Sequence, residues 1–208
     1  MNSKVLFKWW LLSLLIMTMI VVASVNWIDV PIARFFFKGS EKVAGLAHIF
    51  GSSVMVACDV DLMLSIAVIR LMRGSIPDYA KVIFLACCAS LLAFAANDYV
   101  LKELFGRYGP YTFFGGSNVR DFNFLKGDMF SVFPSGHMVT STAFAAMIIR
   151  QYPRVWPVLT ILLCSGAAAL LVGDWHFLSD IISGAFVGST AGLLAAELWR
   201  QHLRKLRK

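Results

Sequence analysis

Two histidines and an aspartate carry the spacing in this chain that reads as chemistry. His137 closes the run Phe133-Pro134-Ser135-Gly136-His137, and His176 stands four residues before Asp180. A carboxylate four residues from an imidazole shares its face of a helix and fixes the ring's tautomer, which makes a histidine a competent nucleophile or base. His137 adds a second imidazole at the mouth of another apolar segment. A helix start explains Pro134, which ends the loop, and Ser135, which caps the orphan amides. It leaves the Gly-His pair without a reason. Read instead as a phosphate cradle, Ser135 and Gly136 supply a helix N-terminus whose free amides and dipole attract an anion, with the glycine allowing close approach. Lys102, Arg107, Arg120 and Lys126 add positive charge nearby in sequence. The set suits phosphoryl transfer through a covalent phosphohistidine, with FPSGH as the floor of an anion pocket that also holds a general acid.

The elements that must position these residues are membrane spans. The chain of 208 residues is 59% hydrophobic and only 15% charged, with a mean hydropathy of +0.73, where a soluble domain would carry about a quarter charged residues. Six apolar runs approach the roughly 20 residues that cross a bilayer: Trp9 to Ile28, Ser53 to Leu71, Val82 to Leu101, Ser135 to Ile149, Val155 to Gly173 and Phe177 to Trp199. No linker or repeat divides them, so residues 1–208 read as one all-α, six-span membrane domain. The first run resembles a signal peptide in its flanks but is longer than a usual hydrophobic core, and it reads as a retained anchor. With the N-terminus inside, twelve basic residues fall on the inner side and seven on the outer, which places both termini in the cytoplasm. The net charge of +7 therefore belongs to loops beside lipid headgroups, and nucleic acid is not the expected partner. On this topology every residue of the candidate site lies on the outer side. Cys58, Cys87, Cys88 and Cys164 fall inside spans, lack metal-ligand spacing and read as small core residues.

With these residues in place, the chain resembles the type 2 phosphatidic acid phosphatase (PAP2) superfamily of membrane phosphatases. That family carries Lys-x6-Arg-Pro, Pro-Ser-Gly-His and Ser-Arg-x5-His-x3-Asp. The second motif is complete at Pro134 to His137; the third matches at His176 and Asp180; the first gives Lys102 and Pro110. The chain departs from the pattern at Gly109, Ala169 and Leu170, where the family has arginine, serine and arginine. Two phosphate-clamping guanidiniums are thus absent, with Arg107 the natural substitute and Arg120 the second candidate. The resemblance implies a lipid phosphate as substrate. It also implies His176 as the nucleophile, Asp180 orienting it and His137 protonating the leaving oxygen, while Lys102, Ser135, Gly136 and Arg107 hold the phosphoryl oxygens. It implies no metal and no other cofactor, and, for a bacterial protein, a periplasmic site on the inner membrane. A non-catalytic lipid-phosphate binder, a lipid phosphotransferase and a small transporter stand as the alternatives.

Asp59 and Asp61 fall near the middle of the second span, where a carboxylate marks function or a wet cavity unless the span begins later. Being two apart, they face different ways and do not form a pair of metal ligands. Asn97 and Asp98 precede Lys102 and are placed to support the pocket. His48 and His202 read as incidental, Ala33 to Phe50 as an interfacial stretch, and Trp9, Trp10, Trp27, Trp175 and Trp199 as an aromatic belt.

Overall fold

A computed structural model describes residues 3–37, 52–114, 122–127 and 131–206. Among the described residues the fold is helical, without strands. Helix α1 (Ser3–Ala23) runs through a wide π turn (Ser24–Ile28) into α2 (Asp29–Phe36). Then come α3 (Ser52–Arg73) and α4 (Asp78–Ala96). A second π turn (Asn97–Leu101) leads from α4 into α5 (Lys102–Phe105), followed by the single turn α6 (Pro110–Thr112). The chain closes with α7 (Gly136–Gln151), α8 (Trp156–Val172) and α9 (Leu178–Leu206).

All six expected apolar segments are helical, and among the described residues four stretches are long and apolar enough to cross a membrane: Phe7–Phe36, Asp78–Thr112, Pro153–Val172 and Leu178–Leu206. Of the other two, helix α7 has 16 residues, a rise of about 24 Å against a hydrocarbon core of about 30 Å. Helix α3 has 22 residues and carries Asp59, Asp61, Arg70 and Arg73. It begins at Ser52, so the two aspartates do lie well inside a helix rather than at its edge.

The short helix is the centre of the bundle. Val139, Ala143 and Met147 of α7 are fully buried, enclosed by α3, α4, α8 and α9. Its closest neighbour is α9, which presents Gly184, Gly188 and Gly192, one every turn. A methyl added at Gly184 would stand 2.5 Å from the Ser135 carbonyl, and one at Gly188 would collide with the Val139 carbonyl and the Thr142 hydroxyl. Small residues at this spacing let two backbones touch, which is how helices associate where no hydrophobic force drives them. Helix α4 packs the other flank with Ala86, Ala89 and Ala93, and its Ser90 hydroxyl donates to the Thr140 carbonyl at 3.2 Å. Helix α1 leans on α9, where the Trp10 indole donates to Thr190.

Candidate functional site

The tight α7–α9 contact brings the two histidine motifs together. At its upper end the Ser135 amide donates to the Asp180 carbonyl at 3.0 Å, so the first turns of the two helices are joined by backbone. Ser135 is an N-cap as expected, accepting from the Met138 amide at 3.5 Å. Its own amide, however, is committed to Asp180 and is not a free anion donor. Gly136 has ordinary room: an added methyl would lie 3.5 Å from Phe94 and from Ser52. Behind the motif, the buried Asn97 amide donates to the Pro134 carbonyl at 3.2 Å, which gives that residue the supporting place its sequence position indicated.

His176 does not belong to the last helix, contrary to the simplest reading of its four-residue spacing from Asp180. Helix α9 begins at Leu178, and His176 lies in the turn before it. Asp180 bridges the difference by reaching back over its own helix start. One carboxylate oxygen, Oδ2, accepts from the Phe177 amide at 2.8 Å and lies 3.7 Å from His176 Nδ1. That is within ion-pair reach and beyond a hydrogen bond, and Nδ1 is buried with no hydrogen-bond partner. The His176 and His137 rings are 5.6 Å apart between centroids, and His137 lies 5.5 Å from the Trp175 ring. His176 is almost fully buried, whereas His137 is partly buried and lines a cavity with Trp175.

Arg107 occupies a place the sequence did not indicate. Its side chain is completely buried. Nη1 donates to Ser179 Oγ at 2.6 Å and to Asp180 Oδ1 at 2.8 Å, and Nη2 donates to Asp29 Oδ2 at 2.8 Å. The guanidinium also lies over the rings of Phe177 and Phe122, at 4.4 and 5.1 Å. Only Nε is left buried without a partner. A guanidinium spent on two carboxylates is poorly placed to clamp a phosphate, and its evident work is to hold Asp180. Asp29 is the residue that the sequence reading missed. It is fully buried at the start of α2, accepts from Ser24 Oγ at 2.7 Å and the Ser179 amide at 3.0 Å, and bonds the Ser179 hydroxyl. The signal was present: the apolar run does not stop at Ile28 but continues through Val30 to Phe37, leaving one acid inside a hydrophobic helix.

The first π turn ends at Asp29 in this cluster, and the second leads into Lys102. Such widened turns re-aim the side chains that follow and are frequent at functional sites. The Lys102 ammonium is joined to Asp98 Oδ1 at 2.5 Å. Gly106, in the left-handed region at φ 52°, ends α5 and turns the chain toward Arg107; a side chain there would strike the Asn123 carbonyl. At the two positions where arginines were expected, the space is taken. A methyl on Gly109 would meet the Trp175 carbonyl at 3.0 Å and Val132 at 3.2 Å. Leu170 is a core residue packed with Met138 and Ile181. Arg120, His48 and Ala33–Phe50 beyond Phe37 lie outside the described residues. Among the described residues no group of three His, Cys, Asp or Glu side chains is placed to hold a metal ion.

A family model, that of the PAP2 superfamily, matches residues 81–204. No curated protein and no solved structure matches the chain.

Proposed function

Because the chain belongs to the PAP2 superfamily, we propose that it is an integral membrane phosphatase acting on a lipid phosphate or diphosphate through a phosphohistidine at His176. The observation that carries this reading is the ordered series Asp29–Arg107–Asp180–His176–His137, in which each group touches or faces the next. Asp180, fixed by Arg107 and by the Phe177 amide, accepts the Nδ1 proton of His176 and leaves Nε2 as the attacking atom. The 3.7 Å gap at Nδ1 closes as substrate binds, as catalytic hydrogen bonds that are long in an unliganded site commonly do. Nε2 bonds to phosphorus, the bond from phosphorus to the lipid oxygen breaks, and protonated His137 gives its proton to that oxygen. Water then attacks the phosphohistidine, His137 takes the water's proton, and inorganic phosphate leaves. The reading involves no metal.

Lys102, Ser135 and Gly136 hold the phosphoryl oxygens, with Arg120 a further candidate for the same role. Arg107 acts one step removed, as the group that positions Asp180. In this reading the site faces the outer, periplasmic leaflet of an inner membrane, with both termini cytoplasmic. Phosphate release from a panel of lipid phosphates by purified protein, wild type beside His176→Ala, tests the activity. The wild type should turn over at least one lipid and the variant should lose several orders of magnitude; a fully active variant removes His176 from the role. For the topology, Lys126→Cys should react with a membrane-impermeant thiol reagent in intact cells and Arg154→Cys should not. Both positions are exposed, and the reverse pattern would put the site in the cytoplasm.

A further inference from the structure

Asp29 starts α2, outside the residues 81–204 that the family model matches, and its side chain is fully buried. Four donors meet its two oxygens. Oδ1 accepts from the Ser24 hydroxyl at 2.7 Å and the Ser179 amide at 3.0 Å. Oδ2 accepts from the Ser179 hydroxyl and from Arg107 Nη2, the latter at 2.8 Å. Four such bonds fill the acceptor positions of a carboxylate, so Asp29 has nothing left to offer a substrate. Its influence on the reaction must pass through Arg107 and through Ser179 in the first turn of α9.

The first consequence is geometric. An arginine alone with one carboxylate commonly grips both oxygens with two parallel N–H donors. Here Asp29 takes Nη2, so Arg107 reaches Asp180 through Nη1 and on one oxygen, Oδ1. Oδ2 is left to the Phe177 amide at 2.8 Å and to His176 Nδ1 at 3.7 Å. The second consequence is one of charge. The linked ion pairs Asp29–Arg107–Asp180–His176 contain two acids, one permanent cation and an imidazole that is charged only when protonated. With a neutral imidazole this buried cluster holds one negative charge in excess, which costs folding free energy. When Nε2 bonds to phosphorus and Nδ1 keeps its proton, the ring turns cationic and the cluster becomes neutral. A charge that is unfavourable at rest is then favourable in the transition state, the differential interaction that lowers a barrier.

Resting on the phosphatase reading, in which His176 is the nucleophile, we propose that Asp29 is a positioning residue of the reaction. It divides Arg107 so that Asp180 keeps Oδ2 for His176, and it supplies the excess negative charge that the phosphorylated ring needs. The N-terminal helix pair is then part of the catalytic unit and not an anchor alone.

Asp29→Asn keeps the size of the side chain and removes its charge. In full-length protein in detergent, with a lipid phosphate that the wild type hydrolyses, kcat should fall about ten- to a hundredfold, the size of one charge–charge interaction across several ångströms of protein. KM should stay within about twofold, because Asp29 does not reach the substrate. Asp29→Glu restores the charge and should recover part of the lost kcat. A folded Asp29→Asn protein with kcat within about twofold of wild type, or a folded Asp29→Glu protein no faster than Asp29→Asn, overturns the proposal. Should Asp29→Asn not fold, Ser24→Ala loosens Asp29 without touching α9; kcat should then fall about threefold at unchanged KM, and an unchanged kcat overturns the proposal. A readout independent of turnover separates it from the phosphatase reading. In protein with isotope-labelled histidine, the His176 signals, assigned by their loss in His176→Ala, should report mainly the Nδ1–H tautomer in the wild type. In Asp29→Asn, where Arg107 can take both oxygens of Asp180, they should shift toward Nε2–H. If the wild type hydrolyses no lipid phosphate while this shift is seen, the phosphatase reading fails and the hold of Asp29 on His176 stands. An unchanged tautomer overturns that hold whatever the activity.

Discussion

The two faces of helix α7 have opposite designs. Toward α9 it offers Val139, Thr142 and Ala143 to a stripe of glycines, with backbones in contact and, at the top, a fully buried set of charges joining Arg107 to Asp29 and Asp180. Toward α3 and α8 the same helix offers Thr140, Ser141 and Phe144 to an open groove. One helix thus separates a dry, rigid side from a roomy one, and the histidines stand at the head of both. In the proposed function, the difference shows how a small bundle can set reacting groups within a few ångströms while keeping space for a bulky, flexible substrate, with rigidity where the site is anchored and looseness where a chain would enter.

Breaking the rigid side should cost most. Arg107→Ala leaves Asp29 and Asp180 buried and unpaired, which should destabilise the protein by about 3–5 kcal/mol and remove activity with it. Thermal unfolding in detergent reads the first effect and phosphate release the second. Arg107→Lys, which keeps a charge without the planar fork, should recover only part of either. A stable Arg107→Ala protein with reduced turnover would instead make Arg107 a direct phosphate ligand. Next comes Gly188→Leu, whose side chain meets the Val139 carbonyl and Thr142. It should cost about 3 kcal/mol, the upper range for overpacking, with activity lost because α7 and α9 are forced apart.

Restoring the family arginine by Gly109→Arg sharpens the comparison rather than breaking it. The new side chain must displace Val132 or press on the Trp175 carbonyl, so stability should fall by about 1–2 kcal/mol and turnover should not rise. A gain in turnover would show that the guanidinium finds the phosphate after all. The groove face should be the most tolerant. Ser141→Ala removes a hydroxyl that back-bonds to the His137 carbonyl and makes a weak contact to the Met55 sulfur, and should change stability by no more than about 0.5 kcal/mol.

The helices were legible in the sequence because apolar runs with basic flanks leave few alternatives, and all six apolar segments form helices. Among the described residues four stretches are long and apolar enough to cross a membrane, and the shortness of α7 goes with its being enclosed by four other helices, a fact of packing and not of local composition. The histidine motifs and the capping Ser135 were legible from spacing. Asp29 was not, because it lies 78 positions from its partner Arg107 and no local pattern connects them. Arg107 stands out in the sequence by its closeness to a missing arginine, but its partners do not, because sequence spacing says nothing of the two carboxylates that meet it in the fold.

The reaction itself can be caught directly. Purified protein mixed with a lipid phosphate that it hydrolyses, quenched in alkali within the first turnovers and digested for mass spectrometry, should carry a phosphoryl group on His176. Phosphohistidine of this kind survives base and is lost in acid, and His176→Ala protein should show neither the label nor the turnover. Phosphate on another residue, or undiminished turnover by His176→Ala, would contradict His176 as the nucleophile.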